Sequence, residues 1–222
     1  MQNFKILMID DHPMIIEGYQ NTILSVKTHK QEFEIDIASN CDMALDYIQK
    51  SLISKPYDIL FVDIKIPPSS DGLITSGEDL AKYARKVLPN AKIIILTMYN
   101  ESYRIHNILK TINPEGFLIK SDLTSSELAN AFLSILESPP YYSSTVNSFL
   151  RKTITSDVFV DEKNRKILHL LSQGVKTKNL ADYVGLSLSA VEKRKKQLKT
   201  LFSVEDGQDE TLLKEARENG FL

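Results

Sequence analysis

Five side chains suited to phosphoryl chemistry stand just beyond, or at the end of, four apolar runs in the first 120 residues. Asp10 and Asp11 follow Lys5–Ile9, Asp63 follows Ile59–Val62, Thr97 follows Ile93–Leu96, and Lys120 follows Gly116–Ile119. Short β-branched runs separated by helix-period stretches read as buried parallel strands. Ligands of open α/β sheets bind beyond the carboxyl ends of the strands. Three carboxylates, a hydroxyl and an ammonium are therefore expected to converge on one crevice. Clustered acids there suit Mg²⁺, which takes oxygen ligands and usually keeps waters. Asp63 suits a nucleophile that accepts a phosphoryl group as an aspartyl phosphate. Such a transfer needs charge neutralisation and positioning more than covalent help. Lys120 offers a point charge for a phosphoryl oxygen, and Thr97 a hydroxyl able to turn toward it. The same crevice would serve an enzyme or an acceptor. An aspartate phosphatase would want a second acid two residues after the nucleophile; Lys65 stands there, which argues against turnover.

The elements that must position these residues alternate regularly. Strands are expected at Phe4–Ile9, Glu32–Ala38, Ile59–Asp63, Lys92–Thr97 and Gly116–Ile119. Helices are expected near Met14–Ser25, Cys41–Leu52, Gly77–Val87, Ser102–Leu109 and Thr124–Leu136. Asn40 reads as the N-cap of the second helix, and Thr124-Ser125-Ser126-Glu127 resembles a capping box. Five βα units imply an α/β fold, a doubly wound five-stranded parallel sheet, over residues 1–136. The polar stretch Pro67–Ser76 reads as a long loop, in which Gly72 and Gly77 compete as the structurally required glycine. Ser138-Pro139-Pro140-Tyr141-Tyr142-Ser143 breaks the rhythm. A linker is expected over 137–156, with a short amphipathic helix at Val146–Ile154. Beyond it, over 157–222, only helices are expected, near Glu162–Gln173, Thr177–Val184, Ser189–Leu201 and Glu210–Asn219.

Composition is that of an ordinary globular chain, with 42% hydrophobic and 25% charged residues. No apolar run approaches the ~20 residues of a membrane helix, and the N-terminus runs into a strand without a signal peptide. A cytoplasmic protein is expected. One cysteine, Cys41, excludes an internal disulfide framework and fits a reducing compartment. His12, His29, His106 and His169 show no metal-ligand spacing, which argues against a zinc-type metalloenzyme. The net charge of −2 hides an asymmetry. Residues 1–150 carry 13 bases and 18 acids, and residues 151–222 carry 14 bases and 11 acids. Seven bases fall within 176–199, against Asp182 and Glu192. An acidic half followed by one with a basic face suggests different partners for each.

The set Asp10-Asp11, Asp63, Thr97 and Lys120 resembles the flavodoxin-like receiver domain of two-component response regulators. The strings Met8-Ile9-Asp10-Asp11-His12-Pro13, Phe61-Val62-Asp63-Ile64-Lys65-Ile66-Pro67, Leu96-Thr97-Met98 and Gly116-Phe117-Leu118-Ile119-Lys120 carry the resemblance. It implies that Asp63 is the phosphoacceptor, with a histidine kinase as phosphodonor. It further implies that Asp11, Asp63 and the backbone carbonyl of Lys65 ligate Mg²⁺, with Asp10 acting mainly through water. Thr97, Lys120 and the aromatic Phe117, three before the lysine, would form the switch. Phe117 lacks the hydroxyl of the tyrosine usual there.

Downstream, Leu168–Leu171 with Gly174, Thr177–Ser187 with Gly185, and the basic stretch Ser187–Leu198 read as helix, turn, helix, turn, helix. A recognition helix needs an apolar side to pack and a basic, hydrogen-bonding side for the major groove. Val191, Leu198 and Leu201 supply the first. Lys193, Arg194, Lys196 and Gln197 supply much of the second, with Lys178, Ser187 and Ser189 as further candidate DNA contacts. This half resembles the small all-α LuxR-type helix-turn-helix domain of NarL/FixJ response regulators. Arg194 replaces that pattern's usual histidine, Asn179 a glutamate and Leu201 a lysine. The resemblance implies a transcription regulator, not an enzyme, whose phosphorylation controls double-stranded DNA binding, as a homodimer when active. Two other readings stay open: a regulator independent of phosphorylation, and a switch whose C-terminal half docks a protein.

Overall fold

The computed structural model describes residues 2–155 and 160–222. The expected boundary between linker and C-terminal domain, at 156/157, lies outside the described residues. The chain divides into two compact units, Met1–Asn100 with Ile108–Val146, and Glu101–Asn107 with Asn147–Leu222.

The first unit is built on β1 (Gln2–Ile9), β2 (Gln31–Ala38), β3 (Ile59–Asp63), β4 (Lys92–Thr97), β5 (Gly116–Ile119) and β6 (Tyr141–Tyr142). They form one sheet in the order β2-β1-β3-β4-β5-β6, every pair parallel. Connections run through α1 (Pro13–Ser25), α2 (Cys41–Leu52), α3 (Gly77–Val87), α4 (Ser102–Ile112) and α5 (Ser125–Glu137), with a 3₁₀ turn at Lys120–Asp122. β3 and β5 are buried at every residue, as strands covered on both faces must be. The sheet face beneath α1 and α5 packs Ile6, Met8, Phe61, Ile94, Leu96 and Leu118 against Ile16, Ile23, Leu128, Phe132 and Ile135. Asn40 caps α2 by accepting the Met43 N–H at 2.9 Å. Thr124 caps α5 by accepting the Glu127 N–H, but the Glu127 carboxylate is engaged by the Tyr141 hydroxyl. The capping box is thus half formed.

Six strands stand where five are expected. Tyr141 donates its N–H to the Glu115 carbonyl at 2.9 Å, and Ser143 to that of Phe117 at 3.0 Å. A β5 edge would otherwise present unpaired backbone groups, and the two tyrosines cover it. Two residues are too short a run to show a strand period, so the sequence carries no sign of β6. The expected linker therefore holds an edge strand followed by α6 (Ser144–Thr155), which begins two residues before the expected helix and ends one residue after it.

The second unit contains α7 (Glu162–Ser172), α8 (Thr177–Val184), α9 (Leu188–Leu201) and α10 (Asp209–Glu218). Its core joins Ile167, Leu168, Leu180, Val191, Leu198, Leu212 and Phe221. Gly185 closes α8 at φ +60°, a left-handed cap that favours glycine. Ser187 caps α9 by accepting the Ala190 N–H. No helix among the described residues is long and apolar enough to cross a membrane.

Candidate phosphoacceptor site and basic helix face

Strand order reverses between β1 and β3, and the crevice beyond such a switch point is where open sheets bind ligands. β1 delivers Asp10 and Asp11 to one side of it, and β3 delivers Asp63 to the other. Register sets Asp63 opposite Leu96 and Thr97 opposite Ile119, so β4 and β5 end beside Asp63 with Thr97 and Lys120. All five expected chemical residues thus meet at one end of the sheet.

Lys120 joins them. Its ammonium lies 2.6 Å from Asp10 Oδ2 and 2.7 Å from Asp63 Oδ2, with all three side chains at most 7% exposed. Burial pushes the Asp63 carboxyl above the usual carboxylate range, against the pull of Lys120 and the Lys65 N–H, and Asp10 adds to the rise. Burial works against the charge of Lys120, yet its hydrogen bonds to Asp10 and Asp63 raise its pKa overall. One cation shared by two buried carboxylates leaves the site with room for more positive charge. The Lys65 N–H donates to Asp63 Oδ1 at 3.2 Å, which holds that backbone segment against the Asp63 carboxylate.

Asp10, Asp11, His12 and Asp63 each offer a ligand atom, all within 4.8 Å of one another. Three carboxylates are the donor chemistry Mg²⁺ takes, so the residues fit that ion. His12 is the member that sequence spacing missed. Its Nδ1 lies 2.8 Å from Asp11 and 3.1 Å from Asp10, so its partners are its immediate predecessors and not another histidine. The cleft over Asp63, about 380 Å³, is lined by His12, Ile15, Lys65, Met98, Tyr99 and Lys120. In the sequence Met98 figures only as the neighbour of Thr97, and Tyr99 not at all, because a loop residue's direction depends on the fold.

Thr97 is fully buried, and its hydroxyl accepts the Tyr99 N–H at 3.0 Å. Phe117 is fully buried in β5. Gly77 is the glycine that close approach at Asp63 requires, while Gly72, at φ +70°, serves the loop's own backbone. A Cβ on Gly77 would lie 1.8 Å from the Asp63 carbonyl oxygen, whereas one on Gly72 meets nothing within 4 Å. The intervening loop is ordered by its own bonds. Ser69 and Ile74 pair, and Ser70 donates its N–H to Asp42 at the start of α2.

In the second unit, α9 turns Val191 and Leu198 inward, and Ser189, Lys193, Lys196 and Gln197 outward. Lys178 is exposed on α8. Arg194 is committed differently: it donates to Asp161, the α7 N-cap, at 2.8 Å and to Asn164 at 2.9 Å. Lys195, between two candidates in sequence, donates to Asp209 at 2.6 Å and Thr177 at 2.7 Å. Four consecutive bases therefore split into an outward pair and an inward-tied pair, which a linear charge run does not reveal. Ser187 serves as the α9 cap.

Residues 6–132 match the response regulator receiver domain family. The chain is similar to the oxygen regulatory protein NreC of Staphylococcus epidermidis, 25% identical over 209 residues, covering 88% of this chain and 89% of that one. NreC of Staphylococcus carnosus is 25% identical over 203 residues, covering 86% and 87%. Among solved structures, RcsB of Salmonella enterica serovar Typhimurium bound to a promoter superposes with a TM-score of 0.64 at 20% identity, covering 98% of this chain and 99% of that chain. A complex of two RcsB dimers with two parallel DNAs gives the same values. These structures share the fold. With the matched span holding the acid pair Asp10-Asp11, the buried Asp63 and the bridging Lys120, the chain belongs to the response regulator receiver domain family.

Proposed function

We propose that this response regulator accepts a phosphoryl group on Asp63 from a histidine kinase and, once modified, binds duplex DNA through α9. The observation that carries the acceptor role is the Lys120 ammonium held against both Asp10 and Asp63. Asp63 supplies the attacking oxygen; its bond to phosphorus forms as the bond to the donor's histidine nitrogen breaks. Lys120 steadies the charge of the transferred group. Asp10, Asp11 and Asp63, with the Lys65 carbonyl, would hold Mg²⁺, whose charge offsets that of the phosphoryl oxygens. Thr97 then turns its hydroxyl to the phosphate, and Phe117 reads the change from the neighbouring strand. Lys65, where a phosphatase would carry an acid, makes the site an acceptor and not a catalyst of turnover.

The outward residues Ser189, Lys193, Lys196 and Gln197, with Lys178 on α8, support the DNA reading. Arg194 and Ser187 contribute through the position of α9. Binding as a homodimer would set half-sites about 10 bp apart, and a DNA target supports a cytoplasmic location.

The test incubates the chain with Mg²⁺ and a small phosphodonor and reads intact mass. Wild type is expected to gain one phosphoryl group and Asp63→Ala none; equal gain by both refutes the acceptor. Phosphorylated protein is then titrated into a duplex at rising salt. No association at low salt refutes the DNA reading.

A further inference from the structure

Lys120 opens a 3₁₀ turn whose third residue, Asp122, bonds to the chain at the start of α6. One Asp122 oxygen accepts the Ser143 hydroxyl at 2.7 Å and the Thr145 N–H at 2.9 Å. Its other oxygen accepts the Thr145 hydroxyl at 2.9 Å. Ser143 is fully buried; its Oγ accepts the Ile119 N–H at 3.1 Å, and its own N–H donates to the Phe117 carbonyl at 3.0 Å. Ser143, just before α6, and Thr145, in its first turn, thus hang on residues 117, 119 and 122, which bracket the site's Lys120. Three of these bonds end on a carboxylate, the stronger class. Burial disfavours the Asp122 charge, but its hydroxyl and N–H donors hold the carboxyl below the usual range.

We propose that Asp122 is a positioning residue that carries the phosphorylation state of Asp63 to α6, with Ser143 and Thr145 as its receivers. The inference rests on Asp63 being the phosphoryl acceptor. A phosphorylated Asp63 presents its charge farther from β3, and the Lys120 ammonium follows it. A three-residue 3₁₀ turn is a tight hydrogen-bonded unit, so displacement at its first residue reorients its third. Hydrogen bonds weaken steeply with misalignment, and the hold on α6 loosens. α6 begins in the first unit and its chain continues into the second. The phosphorylation signal therefore leaves the receiver along the chain itself, by way of a carboxylate two residues past the site lysine.

A merely structural tie would hold α6 equally in both states, and amide exchange separates the two. Hydrogen exchange of the α6 amides, Thr145 above all, is measured on the full chain with and without acetyl phosphate and Mg²⁺. Intact mass reports phosphorylation in the same samples. Phosphorylation is expected to speed wild-type Thr145 exchange about tenfold, the scale of one charge-assisted hydrogen bond. Asp122→Asn is expected to exchange fast beforehand and to respond no further, while gaining phosphate like wild type. Thr145→Ser, which keeps both donors, should respond like wild type. Should Asp122→Asn fail to fold, Ser143→Ala removes one donor and keeps the carboxylate; its response should be blunted, and a full response overturns the inference. Unchanged Thr145 exchange in phosphorylated wild type overturns the inference and leaves the acceptor reading standing. A wild type that gains no phosphate overturns both.

Discussion

At the scale of single residues, the site is a charge problem solved by one ammonium. Lys120 is 7% exposed and faces two carboxylates at most 5% exposed. Removing one partner of a buried ion pair strands the other, at a cost of about 3–5 kcal/mol. Lys120→Met is therefore expected to lose about 3 kcal/mol of stability, read by denaturant unfolding, and to regain part of it in millimolar Mg²⁺. Equal unfolding midpoints for wild type and variant would show the bridge contributes nothing. The same arithmetic frames the switch. Moving a two-state equilibrium from 1:99 to 99:1 takes about 5.5 kcal/mol. Thr97 would add a charge-assisted bond of roughly 1.5–3 kcal/mol, and Lys120, already bonded to Asp63, would contribute the difference between its bonds in the two states. Phe117 acts through packing: a fully buried phenylalanine cut to alanine costs about 3–5 kcal/mol, so its variants need a stability control before any signalling defect is assigned.

At the scale of elements, two close fits decide behaviour that composition does not show. In an exposed helix, Gly→Ala is worth about 1 kcal/mol in favour of alanine. Gly77→Ala should reverse that sign, because its Cβ would press on the Asp63 carbonyl at 1.8 Å. A lower melting temperature together with slower phosphorylation is the expected pair of results; a more stable variant would contradict the packing argument. On α9, Lys196 is exposed and Lys195 is held by Asp209 and Thr177. Lys196→Ala should lower the slope of log affinity against log salt by about one, whereas Lys195→Ala should leave that slope in place and destabilise the unit. The Asp161–Arg194 tie adds a pH dependence. Burial disfavours the Asp161 charge, but Arg194 and the Asn164 N–H outweigh it and hold the carboxyl below its ordinary value. A depressed carboxyl contributes stability above its unfolded pKa of about 3.9 and loses it as pH falls through the folded value. Asp161→Asn, which keeps an N-cap, should flatten the acid limb of the stability curve below about pH 4.

At the scale of the whole molecule, the two halves carry opposite charge, 13 bases with 18 acids before residue 150 and 14 with 11 after it. The acidic half brings Asp10, Asp11 and Asp63 together at one site, and the basic half presents Lys178, Lys193 and Lys196 outward. An acidic input and a basic output on one chain suit a protein that is written on by phosphate and reads a polyanion. Association with duplex DNA should therefore weaken steeply with salt.

The first half's fold and its chemical residues were legible in the sequence. The apolar runs are the strands, and a parallel sheet puts all their carboxyl ends, with the polar residues that follow, on one side. Asp10, Asp11, Asp63, Thr97 and Lys120 needed no more than order and spacing. The tertiary structure alone decided the rest. His12 meets its acids through side-chain direction, Gly77 is required by an approach from a strand 14 residues earlier in the chain, and β6 exists because β5 offers an unpaired edge. The bases of α9 separate into free and tied because Asp161 and Asp209 come from other helices. Periodicity reports which face a residue occupies; only packing between distant segments sets what that face meets.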